Sequence, residues 1–149
     1  MNIAAQPPVQ ADQTIYLKDY QKPAFLVESI HLDIQVYDDH TIVDSTLVMK
    51  RQAAGELVLL GRDLELQSIQ MNGQLLNAGQ YQLDSEQLVI TDAPDQVILK
   101  IQVVIHPESN TQLEGLYKAG DLFVTQNEPE GFRKITFYPD RPDVLAEFT

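Results

Sequence analysis

The sequence of 149 residues contains no cysteine and no tryptophan, and its ten basic residues stand against 22 acidic ones. The lack of cysteine excludes a disulfide framework and thiolate metal ligands, and it leaves the cellular compartment open. The net charge of −12 argues against nucleic acid and anionic membranes as partners, because both require a basic surface. A cationic ligand is compatible with this charge, although an acidic surface more often serves solubility.

Long apolar runs are also missing, and none approaches the length of a membrane span. The first eight residues lack the basic and apolar regions of a secretory signal, so we expect a soluble cytoplasmic protein. The polar composition of residues 1–14, with Pro7-Pro8, predicts a loose N-terminal arm. The remaining residues, 15–149, are enough for a single domain with its own core.

Short alternating strands separated by turn residues dominate the pattern. The clearest strand is predicted over residues 25–37. One face is apolar and expected to be buried, with Ile30, Leu32, Ile34 and Val36. The other face is polar and expected to be exposed to solvent, with His31, Asp33 and Gln35. Further strands are predicted over 41–50, 57–60, 64–71, 81–83, 88–90, 97–105, 115–117 and 122–124. Asn72-Gly73 is a strong hairpin signal. Residues 142–148 are compatible with a helix start or a further strand, and the whole pattern predicts an all-β, antiparallel β-sandwich.

Metal and nucleophile motifs are weak in this chain. None of the three histidines, His31, His40 and His106, has a second histidine within one helical turn, so we expect surface histidines and no metal site in the chain itself. A Ser–His–Asp triad is not excluded by composition, but there is no Gly-x-Ser-x-Gly elbow and no phosphate-binding loop. Asp38-Asp39 and the pair Asp92 and Asp95 could bind Ca²⁺ weakly, although turn chemistry explains them better.

The stretch from Thr125 to Asp143 concentrates charges, aromatic residues and prolines. In an extended backbone, Gln126 and Glu128 would present an amide and a carboxylate side by side on one face. Pro129 removes a ladder donor and Gly131 permits a positive φ, so the strand is expected to end or bend there. A carboxylate at a strand end is well placed to bind a cation such as a ligand ammonium group.

A structural interpretation of the same charges competes with this one. Glu128, Glu130 and Asp140 could pair with Arg133 and Arg141 and fasten a loop to the body of the domain. From spacing alone, this interpretation is favoured over a binding site.

Resemblance to a known family changes that weighting. The residues that carry it are Asp19-Tyr20-x-x-Pro23, Asn110-Thr111-x-Leu113-Glu114-Gly115-Leu116-Tyr117, Thr125-Gln126-x-Glu128-x-Glu130-Gly131-Phe132-Arg133-x-Ile135-Thr136, and Asp140-Arg141-Pro142-Asp143-Val144-Leu145-Ala146-x-Phe148-Thr149. They resemble the N-terminal domain of bacterial aminopeptidase N, a zinc aminopeptidase of the gluzincin group. The resemblance extends from about Tyr16 to the end of the chain, and the last forty residues carry most of its specificity.

The resemblance implies that the parent protein releases N-terminal amino acids from peptides. Its zinc and general base would lie in a catalytic domain after Thr149, so this chain, which lacks His-Glu-x-x-His, is expected to be an inactive fragment that holds no cofactor. Carried over by the motif, Glu128 would bind the substrate α-ammonium group, and Gln126 would line the pocket for the first side chain. The expected partners are the catalytic domain and the peptide N-terminus, and an exposed docking face over 126–149 predicts self-association of the isolated piece.

Some positions depart from the family pattern, and one alternative stays open. Asn127 stands where cysteine is usual, and Phe137 and Pro139 replace a tyrosine and a larger apolar residue. Phe132 is expected in the core; for Tyr117 and Tyr138, core packing is favoured over a pocket wall. The alternative is a free-standing β-sandwich interaction module without peptidase activity.

Overall fold

The computed structural model describes residues 16–149. The predicted loose arm over 1–14 therefore lies outside the described residues. Eleven strands are present in the described part: β1 (Phe25–Val36), β2 (Thr41–Arg51), β3 (Leu57–Leu60), β4 (Glu65–Met71), β5 (Gln74–Leu75), β6 (Gln82–Leu83), β7 (Gln87–Ile90), β8 (Gln96–Ile105), β9 (Gly115–Ala119), β10 (Leu122–Gln126) and β11 (Glu147–Phe148). Two short 3-10 helices, Leu17–Asp19 and Phe132–Lys134, complete the list. No helix among these residues is long and apolar enough to cross a membrane.

The strands form one large sheet, one small sheet and a ribbon. The large sheet has the order β11-β1-β2-β8-β4-β5, the small sheet has the order β3-β7-β6, and β9 pairs with β10. All pairs are antiparallel except β11 with β1. Strand β8 lies between β2 and β4 and is therefore an inner strand of the large sheet.

The core is built from the alternate side chains that the strands turn inward. From the large sheet these include Ile30, Val43, Leu47, Leu99 and Ile101, and from the small sheet Leu57, Leu59, Leu88 and Ile90. Alternation of this kind follows from the two-residue repeat of a strand, which sends neighbouring side chains to opposite faces. The predicted all-β sandwich is confirmed.

The hairpin at Asn72-Gly73 is also confirmed. Both residues have positive φ, 52° and 83°, as a tight two-residue turn requires. The side chain of Asn72 adds a second function, because its Oδ1 accepts the backbone N–H of Ile98 at 2.8 Å. The turn is thereby fastened to the central strand.

The second half of β1 differs from the prediction. Ile30 is fully buried and Leu32 is half-buried, but Ile34 and Val36 have exposed fractions of 43% and 46%. The alternation is regular, yet β1 runs past the end of its outer neighbour β11, which pairs with it at Ser29 and Ile30. The exposure of these two side chains is therefore a property of the sheet edge.

Candidate functional site: the loop after strand β10

Strand β10 ends at Gln126, which pairs with Gly115 at the start of β9. A turn over 128–131 then leads to the 3-10 helix Phe132–Lys134, and the Glu128–Pro129 peptide bond is cis. The backbone therefore leaves the extended conformation after Gln126. The prediction placed Gln126 and Glu128 at alternate positions of one strand, and the structure does not have this arrangement.

The glycine in this turn serves a different purpose from the one predicted. The strand ends before Gly131, as predicted, but Gly131 has a φ of −93° and does not use the positive φ that glycine permits. A Cβ atom at this position would overlap the backbone oxygen of Gln126 and would lie 2.8 Å from the Cα of Asn127. Glycine is required here because the chain folds back closely on itself. Gly115, which has a φ of +71°, also lies close to Gly131: a Cβ atom on Gly131 would be 3.1 Å from the backbone nitrogen of Gly115.

Hydrogen bonds hold the loop that carries Glu128. The side-chain Nε2 of Gln126 donates to the backbone oxygen of Glu128 at 3.1 Å, and the N–H of Gly131 donates to the oxygen of Asn127 at 2.8 Å. The side chains of Gln126 and Glu128 are both exposed. The loop therefore presents a carboxylate to the surface from a backbone that its own residues restrain.

Arg133 organises the residues behind the loop. Its guanidinium contacts the carboxylate of Glu130 at 3.2 Å and that of Asp140 at 3.0 Å, and it also donates to the backbone oxygen of Asp140 at 2.9 Å. The backbone N–H of Arg133 donates to the same Asp140 carboxylate at 3.1 Å. The side chains of Arg133 and Asp140 are 12% and 13% exposed, so this pair is largely shielded from water.

The second arginine makes a separate pair. Arg141 contacts Asp143 at 2.8 Å, and Asp143 also accepts the hydroxyl of Tyr20 at 2.8 Å. The Arg141 guanidinium is the main cause of the lowered pKa of Asp143. The Tyr20 contact fastens the first described residues to the end of the chain.

Among residues 16–149, the carboxylate of Glu128 forms no ion pair and no hydrogen bond, whereas its neighbours do. The structural interpretation is therefore correct for Glu130 and Asp140, which both pair with Arg133. It fails for Glu128. The three carboxylates therefore differ: Glu130 and Asp140 are paired with Arg133, and Glu128 is unpaired and exposed.

Lys134 is a structural residue that the sequence reasoning missed. Its side chain is 4% exposed, and its ammonium group contacts Asp63 at 2.8 Å and the side-chain oxygen of Gln112. These contacts join the 3-10 helix to the segment before β4 and to the approach to β9. No local pattern could have indicated the pair, because Lys134 and Asp63 are 71 positions apart.

The aromatic residues near the loop pack together. Phe132, Tyr138 and Phe148 have ring centroids 5.1–5.9 Å apart, and Phe132 and Tyr138 pack in or against the core as predicted, while Tyr117 is half-buried. The hydroxyl of Tyr138 is buried and has no hydrogen-bond partner within the described residues. Burial, helped by the charge of Asp140, raises the pKa of Tyr138 to about 12.

His106 lies at a cavity of about 620 Å³, whose wall also includes Glu65 and Lys134. His106 is exposed as predicted, but it is not a free surface residue. Its Nε2 lies 3.1 Å from a carboxylate oxygen of Glu65, and its Nδ1 lies 3.1 Å from the backbone oxygen of Asp39 and 3.2 Å from a carboxylate oxygen of Glu108. The Asp39 carbonyl, followed by the two carboxylates, raises the pKa of His106.

No group of three His, Asp or Glu side chains that could hold a metal ion occurs within residues 16–149. The acidic turns considered for Ca²⁺ have other partners. Asp39 contacts His40 at 2.7 Å, and Asp95 contacts Arg51 at 2.9 Å. His31 lies 3.0 Å from the hydroxyl of Thr149.

No protein-family model matches the chain. Among curated proteins it is similar to aminopeptidase N of Caulobacter vibrioides, with 42% identity over 139 residues that cover 92% of this chain and 16% of the relative. Aminopeptidase N of Escherichia coli is 41% identical over 94% of the chain, and that of Haemophilus influenzae is 39% identical over 89%. The chain thus spans about a sixth of the length of these relatives, since the matched share of each is 16%.

Solved structures give the same fold. Legionella pneumophila aminopeptidase A, in complex with aspartic acid, matches with a TM-score of 0.81 and 29% identity over 89% of this chain and 16% of that one. An M1 zinc metallopeptidase from Deinococcus radiodurans, at 20% identity and a TM-score of 0.70, covers 85% of this chain, and 32% of that protein is matched. Yeast leukotriene A4 hydrolase matches with 18% identity and a TM-score of 0.69 over 91% of this chain and 25% of that one. At identities of 20% and 18%, the similarity to these two proteins shows the fold alone. By sequence and by fold, the chain is homologous to the N-terminal part of the M1 zinc aminopeptidases, with bacterial aminopeptidase N among its relatives.

Proposed function

We propose that this chain forms one wall of the active site of a zinc aminopeptidase and that Glu128 binds the α-ammonium group of the peptide substrate. The homology to bacterial aminopeptidase N supplies the reaction class, the release of N-terminal residues from peptides. The observation that carries the assignment of Glu128 is its unpaired, exposed carboxylate. Its neighbours Glu130 and Asp140 are held by Arg133, whereas Glu128 has no cationic partner among the described residues.

The chemistry of the substrate fits a free carboxylate. Every substrate of an aminopeptidase has a cationic α-amino group next to the bond that is cleaved. A carboxylate that accepts hydrogen bonds from an ammonium group forms a charge-assisted contact, which is stronger than a contact between neutral groups. When such a carboxylate is fixed relative to the reacting atoms, it aligns the first peptide bond and limits cleavage to one residue.

Restraint of the loop supports the same role. Gln126 donates to the backbone oxygen of Glu128, and Gly131 closes the turn onto Asn127. A carboxylate on a restrained backbone loses less conformational freedom when it binds its ligand. Gln126 would also line the pocket for the first side chain of the substrate, and its exposed amide is available for that contact.

The zinc chemistry belongs to residues outside this chain. Zinc sites in such enzymes need three protein ligands and an open position, and the described residues offer no cluster of that kind. In this proposal the chain binds and orients the substrate, and residues of a catalytic domain supply the metal ligands and the general base. We also propose a cytoplasmic location, which fractionation of the source cells would test.

The decisive experiment compares Glu128→Gln with Glu130→Gln in the full-length enzyme. Both changes remove one exposed carboxylate from the same loop, but Glu130 pairs with Arg133. We expect Glu128→Gln to lower kcat/KM at least about tenfold, since a hydrogen bond to a charged group contributes roughly 1.5–3 kcal/mol. Zinc content, measured by metal analysis, should not change, and Glu130→Gln should stay close to wild type.

A pair of competitive inhibitors separates ammonium binding from a general effect on the loop. One inhibitor has a free α-amino group, and the other is its deaminated analogue. Glu128→Gln should weaken binding of the first and leave binding of the second unchanged. Equal effects on the two inhibitors, or unchanged kinetics, would contradict the assignment. A free-standing interaction module would instead be indicated if the source gene encoded no catalytic domain.

A further inference from the structure

The side chain of Asn72 is bonded to strand β8 through both ends of its carboxamide. Its Oδ1 accepts the backbone N–H of Ile98 at 2.8 Å, and its Nδ2 donates to the backbone oxygen of Gln96 at 3.2 Å. The backbone N–H of Asn72 also donates to the oxygen of Ile98, at 2.9 Å. The carboxamide therefore continues the pairing of β4 with β8 after the main chain has turned away into β5.

The residue that follows is the only glycine in the sequence that comes directly after an asparagine. Gly73 is exposed, and a Cβ atom placed on it would meet nothing within 4 Å. Its backbone N–H donates to no acceptor within residues 16–149. The amide nitrogen after an asparagine can attack the side-chain carbonyl carbon, and glycine has no side chain that would shield this nitrogen. Asn72 therefore has a reactive group next to it in the chain.

We propose that Asn72 is a deamidation site: the folded turn holds the reaction back, and conversion to isoaspartate detaches the turn from β8. The Gly73 nitrogen forms a bond to Cγ of Asn72 and loses its proton, while the Cγ–Nδ2 bond breaks and ammonia leaves. Water then opens the five-membered imide at either of its two carbonyl carbons. One product is aspartate with the original main chain, and the other is isoaspartate, whose main chain runs through Cβ and Cγ.

Both hydrogen bonds of the carboxamide oppose closure of this ring. Cγ must move onto the Gly73 nitrogen, and the movement takes Oδ1 away from the Ile98 N–H and Nδ2 away from the Gln96 oxygen. The reaction therefore requires that the hairpin tip, residues 72–75, opens. Strand β5 consists of two exposed residues, so this opening disrupts little packing and is local.

The two products should affect the tip differently. A carboxylate oxygen of aspartate can still accept the Ile98 N–H, although it cannot donate to Gln96. Asn72 borders a cavity of about 680 Å³ together with Lys50 and Lys100, so the new negative charge shares this cavity with two ammonium groups. Isoaspartate adds a carbon atom to the main chain of a two-residue turn, whose length fixes the register of the hairpin. Isoaspartate should therefore release the tip, whereas aspartate should keep it bound.

The first test compares deamidation in the folded chain and in the chain unfolded by urea. Trypsin cuts after Arg62 and Lys100, so one peptide contains both Asn72 and Asn77, and tandem mass spectrometry gives the deamidated fraction at each. Asn77 is the internal control, because it precedes Ala78, whose methyl group shields the attacking nitrogen. We expect Asn72 to react at least about tenfold faster in the unfolded chain than in the folded one, since the open tip is a minor state. In the unfolded chain it should also react faster than Asn77.

The second test measures amide hydrogen exchange by NMR at Ile98, whose N–H is bonded to Asn72. Asn72→Asp reproduces one product and should keep slow exchange at this position. The isoaspartate form, isolated from the aged unfolded chain and refolded, should exchange at Ile98 at least about tenfold faster. Ile101, which pairs with Ile69 further along β8, should not change and serves as the control for the fold.

Three results would overturn the proposal. Equal rates at Asn72 in the folded and unfolded chains would show that the two hydrogen bonds do not restrain the carboxamide. A rate at Asn72 no higher than that at Asn77 in the unfolded chain would show that Gly73 confers no special reactivity. Slow exchange at Ile98 in the isoaspartate form would mean that the modification does not detach the turn. None of these results bears on Glu128, whose role is tested by kinetics.

Discussion

The carboxylate of Asp140 accepts hydrogen bonds from both the backbone N–H and the side-chain Nε of Arg133, at 3.1 and 3.0 Å. The two residues are seven positions apart, and both are largely buried. Their contacts close the segment that runs from the 3-10 helix to Tyr138 into a loop of fixed size. This loop is joined to the turn that carries Glu128, because Arg133 also contacts Glu130 at 3.2 Å.

Asp140→Ala should destabilise the chain strongly. The change leaves the guanidinium of Arg133 largely shielded from water with one of its two carboxylates gone, and removing one partner of a buried pair costs about 3–5 kcal/mol. Urea unfolding followed by circular dichroism measures the loss. Glu130→Ala removes the exposed partner of the same arginine and should cost less than about 1 kcal/mol. Equal losses in the two variants would mean that burial of the Asp140 pair has no energetic consequence.

Two glycines near the loop should respond differently to substitution by asparagine. Gly120, in the turn between β9 and β10, has a φ of +63° and open space around it, so asparagine, which tolerates this conformation, should cost little. Gly131 has an ordinary φ but no room for a Cβ atom. Gly131→Asn should therefore destabilise by about 1–3 kcal/mol, as other overpacked sites do. Thermal unfolding of both variants measures the difference, and a neutral Gly131→Asn would disprove the close contact with Gln126.

His106 should make stability depend on pH. Both of its ring nitrogens face acceptors, Glu65 on one side and the Asp39 carbonyl and Glu108 on the other, so the folded protein favours the doubly protonated ring. Its pKa is therefore raised above the ordinary 6.5. A raised folded pKa gives stability that is fully present below the unfolded value and is lost as pH rises through the folded value. The stability of the native chain should fall from about pH 6.5 upward, relative to His106→Asn.

The matched control for this effect is Glu65→Gln. It removes one acceptor from the ring and should lower the NMR titration midpoint of His106 without removing the histidine itself. Urea unfolding at several pH values gives the stability profile of each variant. If the difference between native chain and His106→Asn were flat from pH 5 to 9, the ring would not be linked to folding.

The strands and the hairpin at Asn72-Gly73 could be predicted from the sequence, because strand alternation and turn residues are local signals. The exposure of Ile34 and Val36 could not be predicted in this way, since it depends on where a neighbouring strand ends. The free state of Glu128 could not be read from spacing either. Three carboxylates and two arginines allow several pairings, and packing around Arg133 selects among them.

The contact between buried Lys134 and exposed Asp63 could not be predicted from the sequence at all. The two residues are 71 positions apart and belong to no motif. Gly131 shows a subtler limit. A glycine in a turn suggests a positive φ, but the observed reason is a close approach of backbone atoms, which a single sequence does not reveal.

Tyr138→Phe should raise the stability of the chain, in contrast to most substitutions in a core. The Tyr138 hydroxyl is buried and unpartnered within the described residues, and burial of such a group costs roughly 1–3 kcal/mol. Phenylalanine keeps the ring contacts with Phe132 and Phe148 and removes that cost. Urea unfolding of the variant should show a gain of about 1 kcal/mol, since the space left by the hydroxyl offsets part of the benefit. The same burial predicts that one tyrosine of the native chain ionises only near pH 12, and this titration step should disappear in Tyr138→Phe. A loss of stability in the variant would mean that the hydroxyl has a hydrogen-bond partner after all, such as a buried water molecule.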